Sequence, residues 1–596
     1  MRDYRVLLIY GLGTIGLLMV AVSLAGNILG SVSTGSDITK LTLMNYGKLF
    51  ADPQLLHVCG QTFLLGAGSV AVMMCFALPF AWLLGRTDFR WKTALFTLLT
   101  AELAIPGFIT AMAYVWLFNP SSGLVNKLLG TSGVGSATFN VYSLGWICFL
   151  QGIVLVPASV FMMLPAFRNM DSSLEEAAWV SGVPKRRAVR GVTLPLLAPT
   201  IIAAMMFFFV IAIEIFDFVG LIGMPGGIHV LVLWIYDATH PVVGTPDFGA
   251  AGATGFILFM ICGAAIALYI RFLRQARRYA VLGGKNRSAL PLALGRWKWL
   301  AVGYSGLWCA FAFLVPSICL IWVALVPFLQ TFSVQALHTV NLNGFADGLA
   351  YIGEPLRNTV VLMTGAILLS IVWSVSISWM VTRGQNRALK WLDGLVFLAP
   401  AVPTMVSAIA FEYFGIAIYR WVPLYGSIWL ISIAMAAHML AYCTRTMNAA
   451  SLQIHTELDE AAYASSVTPF VAFRRIFLPI MAPAIFYTAL MVGMLAAREL
   501  TLPLMMTPAQ SPVVSTLIYN LQTNGDNAAA AAIAIYMIVI LVLLGVAARR
   551  LSGMGEDGAA ALAQPRPRAW RRLIGSRSRF AAPDTNIEAA AAKPRG

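Results

Sequence analysis

The chain has 596 residues, of which 59% are hydrophobic and only 11% are charged, and its mean hydropathy is +0.80. Soluble domains carry about 25% charged residues, so this composition excludes an ordinary soluble protein. Because lipid offers no hydrogen-bond partner to an open backbone, the composition predicts an all-α membrane protein. The net charge of +15 is compatible with nucleic-acid binding, but the placement of the basic residues argues against a nucleic-acid partner.

Apolar stretches of roughly 20 residues are long enough to cross a bilayer as helices. The sequence contains twelve such stretches, at about 5–28, 62–84, 94–118, 142–166, 196–220, 250–272, 299–328, 358–380, 393–417, 427–444, 480–505 and 528–548. We therefore expect about twelve transmembrane helices and a multi-pass protein embedded in the lipid bilayer.

The basic residues predict the orientation of these helices. If the amino terminus lies inside, the loops on that side contain all but six of the 40 Lys and Arg residues. The six exceptions are Lys40, Lys48, Lys127, Arg357, Arg420 and Arg498. This asymmetry is the positive-inside bias of membrane proteins and predicts that both termini are cytoplasmic.

One polar phrase occurs twice in this apolar chain. Glu-Ala-Ala stands at 176–178 and again at 460–462, and the match continues for more than twenty positions at an offset of 284. Upstream the offset is 297, which aligns Arg86 with Arg383 and Pro106 with Pro403. The repeat predicts two tandem six-helix units in the same orientation, related by a pseudo-twofold axis along the membrane normal, with a pathway between them.

Composition divides the chain further. A polar, basic stretch at 271–298 separates the two repeats, and the end of the chain is rich in Ala, Pro and Arg. We expect a first core at 1–285 with its repeated loop at 168–195, and a second core at 286–552 with its loop at 446–479. Residues 553–596 are predicted to be a disordered, basic cytoplasmic tail.

Both copies of the phrase fall in an inside loop that has the composition of a folded segment. Glu-Ala-Ala favours a helix, and a break is expected at 181–182 or 465–466. Pro184 and Pro469 suit the first turn of a second helix, and Thr468 is a natural cap for it. A helix–turn–helix knob presented twice on one side suits docking to a twofold-symmetric cytoplasmic partner.

The stretches "EAAWVSGVPKRRAVRGVTLPLLAP" and "EAAYASSVTPFVAFRRIFLPIMAP" resemble the EAA loop of permease subunits of binding-protein-dependent ABC importers. The resemblance implies two fused permease cores with a fold like that of type I ABC importers, in which the loop inserts into a nucleotide-binding subunit. It assigns ATPase coupling to Glu176, Ala177, Ala178, Gly182, Glu460, Ala461, Ala462 and Ser466. Ser466 stands where the family has Gly, and since Ser tolerates the turn less readily, the second copy is expected to dock differently.

The resemblance also implies partners. The sequence has no GxxxxGK followed by Ser or Thr, so ATP chemistry is expected on separate ABC ATPase subunits, as a homodimer on the cytoplasmic face. A periplasmic or extracellular solute-binding protein is the second implied partner, and the bacterial inner (plasma) membrane is the implied location. The chain itself is predicted to be no enzyme and to bind no cofactor. Its seven scattered cysteines and six histidines show no metal-ligand spacing.

Acidic residues inside a membrane are costly and indicate function. Glu214 and Glu499 are 285 positions apart, close to the repeat offset, which predicts that they face each other across the central interface. Glu102 precedes an expected kink at Pro106 by one helical turn. The candidate pathway residues are Glu102, Glu214, Asp217, Glu412 and Glu499. An acidic lining favours a cation, and the alternative that these groups only hold helices together stays open.

Within the family, the fused layout resembles the ferric-iron permeases, as does the sequence from "YCTRTMNAASLQIHTELDEAA" through "ARELTLPLMM". This implies ferric iron as the transported solute, with a phosphonate, thiamine or another small solute as alternatives. A different class also remains open, a secondary transporter with duplicated halves driven by an ion gradient. It would explain the repeat and the buried carboxylates but gives the twin loops no role.

Overall fold

The computed structural model describes residues 4–34, 40–131, 139–168, 170, 175, 178, 180–184, 187, 189–241, 243–279, 292–384, 394, 396, 402–506 and 511–551. The expected boundary between 285 and 286 and the expected tail at 553–596 lie outside these residues. Within them the chain is helical and forms no β-strand, only isolated bridges that join Ser33 to Leu41 and Thr87 to Leu292. The predicted all-α class is confirmed.

The described residues of the first half form ten α-helices. They are α1 Tyr4–Ser31, α2 Met44–Ala51, α3 Leu55–Arg86, α4 Lys92–Glu102, α5 Gly107–Phe118, α6 Leu124–Thr131, α7 Leu144–Arg168, α8 Leu194–Glu214, α9 Leu231–Thr239 and α10 Phe248–Tyr279. Short π-helical turns lie at Val189–Thr193 and Val219–Gly223.

The described residues of the second half form thirteen α-helices, and the membrane-spanning ones follow a similar order. Its helices are α11 Lys298–Cys309, α12 Val315–Leu325, α13 Val334–Leu337, α14 Asn343–Tyr351, α15 Gly353–Arg383, α16 Thr404–Ile418, α17 Ile428–Ser451, α18 Glu457–Ala464, α19 Pro469–Ala472, α20 Leu478–Arg498, α21 Thr501–Met506, α22 Val514–Thr523 and α23 Asn527–Leu551. A π-helical turn at Ala310–Leu314 joins α11 to α12, and another at Phe473–Phe477 joins α19 to α20.

Ten continuous helical segments in the described part are long and apolar enough to cross a membrane. The predicted third span is instead a pair of helices, α4 and α5, bent by 91°. The predicted ninth span is described mainly as α16, which has 15 residues. The expectation of about twelve spans is therefore met by ten long helices, one bent pair and one shorter apolar helix.

Proline explains where α5 and α16 begin. Pro106 and Pro403 both have extended backbones (φ −64°, ψ 136° and φ −54°, ψ 143°), and each immediately precedes the first residue of a helix. A proline lacks an N–H and disfavours helical conformation in the residue before it. The predicted kink at Pro106 is confirmed, and the repeat places an equivalent helix start after Pro403.

The first span of each half packs against the other half. Helix α1 contacts α15 and α16, and a Cβ added at Gly26 would clash with Ala410 at 2.7 Å, so small residues allow this close approach. In the other direction, the Tyr114 hydroxyl in α5 donates to the carbonyl of Phe311 at 2.8 Å. Each half therefore packs against the first span of the other half.

Candidate functional site

The second copy of the repeated loop forms the predicted helix, turn and short helix. Helix α18 contains Glu460, and α19 begins at Pro469 in the first helical position, as expected. Thr468 has the extended backbone of a cap residue, but its side chain makes no capping hydrogen bond. The predicted Thr468 cap is therefore wrong in its side-chain contact, while the helix start is where the sequence places it.

The described residues of the first copy follow the same path. The Val183 N–H donates to the carbonyl of Ala178 at 3.0 Å, and at the equivalent positions the Val467 N–H donates to Ala462 at 3.0 Å. Ala178, like Val180, has helical backbone. Glu176 and Ala177, named in the sequence analysis, lie outside the described residues.

The turn after the first loop helix has one backbone conformation in both copies. Gly182 has φ +80° and Ser466 has φ +60°, and Ser466 has the only positive φ of a non-glycine residue in the described ranges. Serine occupies this left-handed region at an energetic cost that glycine does not incur. The Ser in place of the family's Gly thus leaves the turn unchanged, and different docking of the second copy stays a prediction.

The outward face of the loop exposes one carboxylate, several small side chains and some larger apolar ones. Glu460, Ala461 and Ser466 are exposed, while Ala462 is buried against the rest of the loop. In the first copy Val180 is 89% exposed, and its equivalent Ala464 is also exposed. Small side chains around one carboxylate leave backbone accessible, so this face can enter a groove on another protein.

A buried ion pair anchors each loop to the end of a membrane helix. Arg86, the last residue of α3, pairs with Glu175, and the two side chains are 3% and 2% exposed. Arg383, the last residue of α15, pairs with Asp459, with 2.7 Å between Nε and Oδ2 and side-chain exposures of 9% and 7%. The two pairs occupy equivalent repeat positions.

One further contact repeats in the two anchors. Arg86 Nη1 donates to the carbonyl of Met170 at 3.5 Å, and Arg383 Nη2 donates to the carbonyl of Ile454 at 2.9 Å. Met170 and Ile454 are 284 positions apart, the offset of the loop repeat. The same arginine geometry is therefore built twice.

The third contact differs in chemistry between the copies. The Thr193 hydroxyl donates to Glu175, whereas at the equivalent position the guanidinium of Arg383 lies over the ring of Phe477 at 5.9 Å. Burial raises the pKa of the Asp459 carboxyl, and the Arg383 guanidinium opposes that shift. Both versions link the ion pair to the π-helical turn that leads into α8 or α20, through the acid in the first copy and through the arginine in the second.

Sequence reasoning missed Glu175 and Asp459. Each directly precedes the Glu of its phrase, and two adjacent acids are typical of a solvent-exposed helix face. The available signal was the combination of two repeats, an acid at the same place before each phrase and an arginine at the equivalent end of each second span.

A second group of charged residues surrounds the starts of the broken helices. The Glu214 carboxyl accepts a hydrogen bond from the backbone N–H of Thr404, and that of Asp217 accepts one from Phe108. These N–H groups lie in the first turns of α16 and α5, where they have no partner inside the helix. A carboxylate there is also favoured by the positive end of the helix dipole.

Arg498 complements the opposite end of a helix. It donates to the carbonyl of Leu103, just beyond the last residue of α4. Helices α8 and α20 both have 21 residues and end at Glu214 and Arg498, 284 positions apart, so Arg498 is the structural counterpart of Glu214. Opposite charges at equivalent positions thus contact helix ends of opposite polarity, each across the interface between the halves.

Of the other candidate carboxylates, two lie near this charged group and one does not. Glu499 lies within electrostatic range of Glu214 and Asp217. Glu102 lies near Arg498; it is 2% exposed, and its carboxyl oxygens have no hydrogen-bond partner among the described residues. Glu412 lies about 12 Å along α16 from Thr404, nearer to Tyr425, and is not brought into this group.

In the described ranges, no group of three or more His, Cys, Asp or Glu side chains is placed to hold a metal ion. The central group is instead a set of carboxylates and one guanidinium at helix ends. Such an arrangement can attract a charged solute to the interface between the halves without chelating it.

A family model described as "Binding-protein-dependent transport system inner membrane component" matches the chain twice, over residues 77–279 and 367–553. The chain belongs to this family. Each match covers one copy of the repeat, including its loop and the arginine at the end of the second span. The permease is therefore a multi-pass inner-membrane protein and a transport component with two fused copies of the family domain.

Named relatives differ in the solute they carry. The permease is 24% identical over 528 residues to the "Ferric transport system permease protein FbpB" of Actinobacillus pleuropneumoniae, covering 84% of this chain and 73% of the relative. It is 24% identical to the "Putative ferric transport system permease protein FbpB 1" of Haemophilus influenzae, covering 74% and 70%. It is also 27% identical to the "Sulfoquinovosyl glycerol transport system permease protein SmoG" of Agrobacterium fabrum, covering 41% of this chain and 80% of the relative.

Membership in this family implies two kinds of partner. A binding-protein-dependent permease receives its solute from a substrate-binding protein and works with ATPase partners. The loop that contains Gly182 and the loop that contains Glu460 have the same turn conformation, and each has an exposed face. These loops are therefore candidate contact sites for a partner.

Proposed function

We propose that the permease imports ferric iron through the interface between its two halves, driven by ATP hydrolysis on separate subunits. The observation that carries this proposal is the pair of repeated loops, which share one turn geometry at Gly182 and Ser466 and one buried anchor each. Two equivalent docking faces suit two equivalent ATPase subunits, so the expected motor is a homodimer.

The distribution of Lys and Arg supports the orientation of this assembly. It favours cytoplasmic termini and a cytoplasmic position for both loops. The coupling residues would then be Glu176, Ala177, Ala178 and Gly182 in the core at 1–285, and Glu460, Ala461, Ala462 and Ser466 in the core at 286–552. The permease itself would bind no nucleotide.

Two observations support ferric iron as the solute. Two relatives that cover more than two thirds of this chain have ferric transport in their names. In addition, Glu214 and Asp217 lie at the starts of α16 and α5 near the interface of the halves, and Glu499 lies within electrostatic range of both. Negative charge at a narrow point raises the local concentration of a cation.

The test is transport by the reconstituted complex. The permease, its ATPase subunits and its binding protein are assembled in proteoliposomes, and uptake of radioactive ferric iron is measured with ATP, without ATP and with an imposed proton gradient alone. We expect uptake only with ATP. Uptake driven by the proton gradient without ATPase subunits would contradict the proposal and indicate a secondary transporter.

An organic solute is the second candidate, and the similarity to SmoG favours it. A phosphonate or thiamine would belong to the same alternative. The partner binding protein distinguishes these cases, because its purified form binds either ferric iron or an organic ligand. ATP-dependent uptake of an organic solute with no uptake of ferric iron would retain the importer and overturn iron as its solute.

A further inference from the structure

In the second loop the anchor acid lies one residue from a proposed docking residue, on a different face of the same short helix. In α18, Asp459 is 5% exposed while Glu460 is exposed. Adjacent helical residues point about 100° apart. One face of this helix can therefore meet a partner while the other is held by Arg383.

Each anchor joins the loop to two membrane helices at once. Arg383 is the last residue of α15, which has 31 residues, and Phe477 is the last residue before α20. In the first half, Arg86 ends α3 and Thr193 immediately precedes α8. A displacement of the loop is thus passed directly to the second and fifth spans of its half.

The fifth spans lead to the central charged group. Helices α8 and α20 are about 31 Å long and end at Glu214 and Arg498. Glu214 contacts Thr404, and Arg498 contacts Leu103, so both helices reach the broken third spans of the opposite half. A continuous line of contacts runs from the loop, through the anchor and the fifth span, to the proposed pathway.

Stability alone does not account for these pairs. Replacing a buried ion pair with apolar side chains of similar volume is often neutral or stabilising, whereas removing one partner leaves an uncompensated charge. An ion pair with several directed contacts does fix the orientation of the groups it joins. The same arginine, carbonyl and acid occur in both repeats, at 86, 170 and 175 and at 383, 454 and 459.

We propose that Arg86 with Glu175 and Arg383 with Asp459 are positioning pairs that transmit loop movement to the second and fifth spans. This inference rests on the proposed docking of ATPase subunits at the loops. Without the pairs the ATPases still bind and hydrolyse ATP, but the loop tilts without moving the membrane helices. The pairs therefore determine how much solute is imported per ATP.

The main test compares uptake per ATP hydrolysed in the reconstituted complex. The double variant E175Q/D459N removes both carboxylate charges with little change in shape. Substituting residues that couple two sites changes the strength of their coupling by about 2- to 30-fold. We therefore expect uptake per ATP to fall by a similar factor. The ATPase subunits should still co-purify with the permease.

Matched variants separate positioning from folding. Glu457→Gln neutralises an exposed acid on the same helix and should leave uptake per ATP unchanged. Asp459→Glu keeps the charge, using the residue found in the first copy, and should retain most coupling. Arg383→Met with Asp459→Leu fills the site without charge, so it should fold and co-purify with the ATPases but remain uncoupled.

Either of two results would overturn the inference. One is an unchanged ratio of uptake to hydrolysis in E175Q/D459N and in the apolar variant. The other is a parallel loss of ATPase binding, hydrolysis and uptake in the apolar variant, which would assign the pairs to loop folding alone. Failure of ATPase subunits to bind the unaltered permease would instead contradict the proposed function.

Discussion

The turn residues Gly182 and Ser466 show how one side chain changes the cost of one backbone conformation. Both have positive φ, and a Cβ added at Gly182 would meet no atom within 4 Å. A substitution there therefore has a conformational cost and no steric one. The second copy already carries that cost, because Ser466 has a Cβ in the left-handed region.

Gly182→Ala should weaken binding of the ATPase subunits. A non-glycine residue in this region costs roughly 1–2 kcal/mol, so we expect the dissociation constant to rise about 5- to 30-fold. Ser466→Gly should leave it unchanged or lower it. The dissociation constants are measured on the purified permease, with Gly303→Ala as control, since Gly303 also has open space and has no positive φ. Weaker binding after Ser466→Gly with none after Gly182→Ala would contradict this reading of the turn.

At the scale of the element, the third spans have helix ends near the interface between the halves, where α4 stops at Glu102 and where α5 and α16 begin at Gly107 and Thr404. Each end exposes N–H or C=O groups that a continuous helix would pair internally. Glu214, Asp217 and Arg498 contact these ends and match their polarity. The carboxylates are thus structural partners of the breaks and candidates for the pathway at once.

Neutralising Glu214 and Glu499 together should affect solute passage more than folding. Gln keeps a hydrogen-bond acceptor for Thr404 but removes the charge, whose interaction with a helix end is worth up to about 2 kcal/mol. We expect E214Q/E499Q to insert normally and to reduce the uptake rate by about 3- to 30-fold. Uptake and the amount of folded permease are measured together, with the exposed Glu354→Gln as control. A parallel decrease in folded protein and uptake would assign these residues to holding helices together.

At the scale of the whole molecule, the sequence predicts the repeat, the membrane spans, the loops and the kink at Pro106. These features depend on local composition and on matching one half with the other. Sequence reasoning did not predict that Glu175 and Asp459 are buried. Two adjacent acids are typical of a solvent-exposed helix face, and only tertiary contacts show otherwise. It predicted that Glu214 and Glu499 face each other, and the two lie within electrostatic range. It did not identify Arg498, at the offset of 284, as the repeat counterpart of Glu214.

The packing of α1 against α15 and α16 could not be predicted from the sequence either. Hydrophobic periodicity indicates that a helix is buried in lipid or protein but not which neighbour it contacts. The glycines of α1 that lie against Trp373 and Ala410 allow close packing, and this role is recognised only when the positions of both helices are known. Local patterns thus predict the elements, and the contacts between the halves require the three-dimensional structure.

The central claim is that two equivalent loops on the cytoplasmic side are held by one ATPase dimer. Cysteine crosslinking tests it most directly, with Val180→Cys and Ala464→Cys, which are exposed and equivalent in the repeat, in a Cys75→Ser background. The account predicts that both cysteines crosslink to the ATPase subunits and that Leu337→Cys, exposed at the end of α13, does not. Crosslinking at neither loop, or labelling of both loops only from outside the cell, would contradict it.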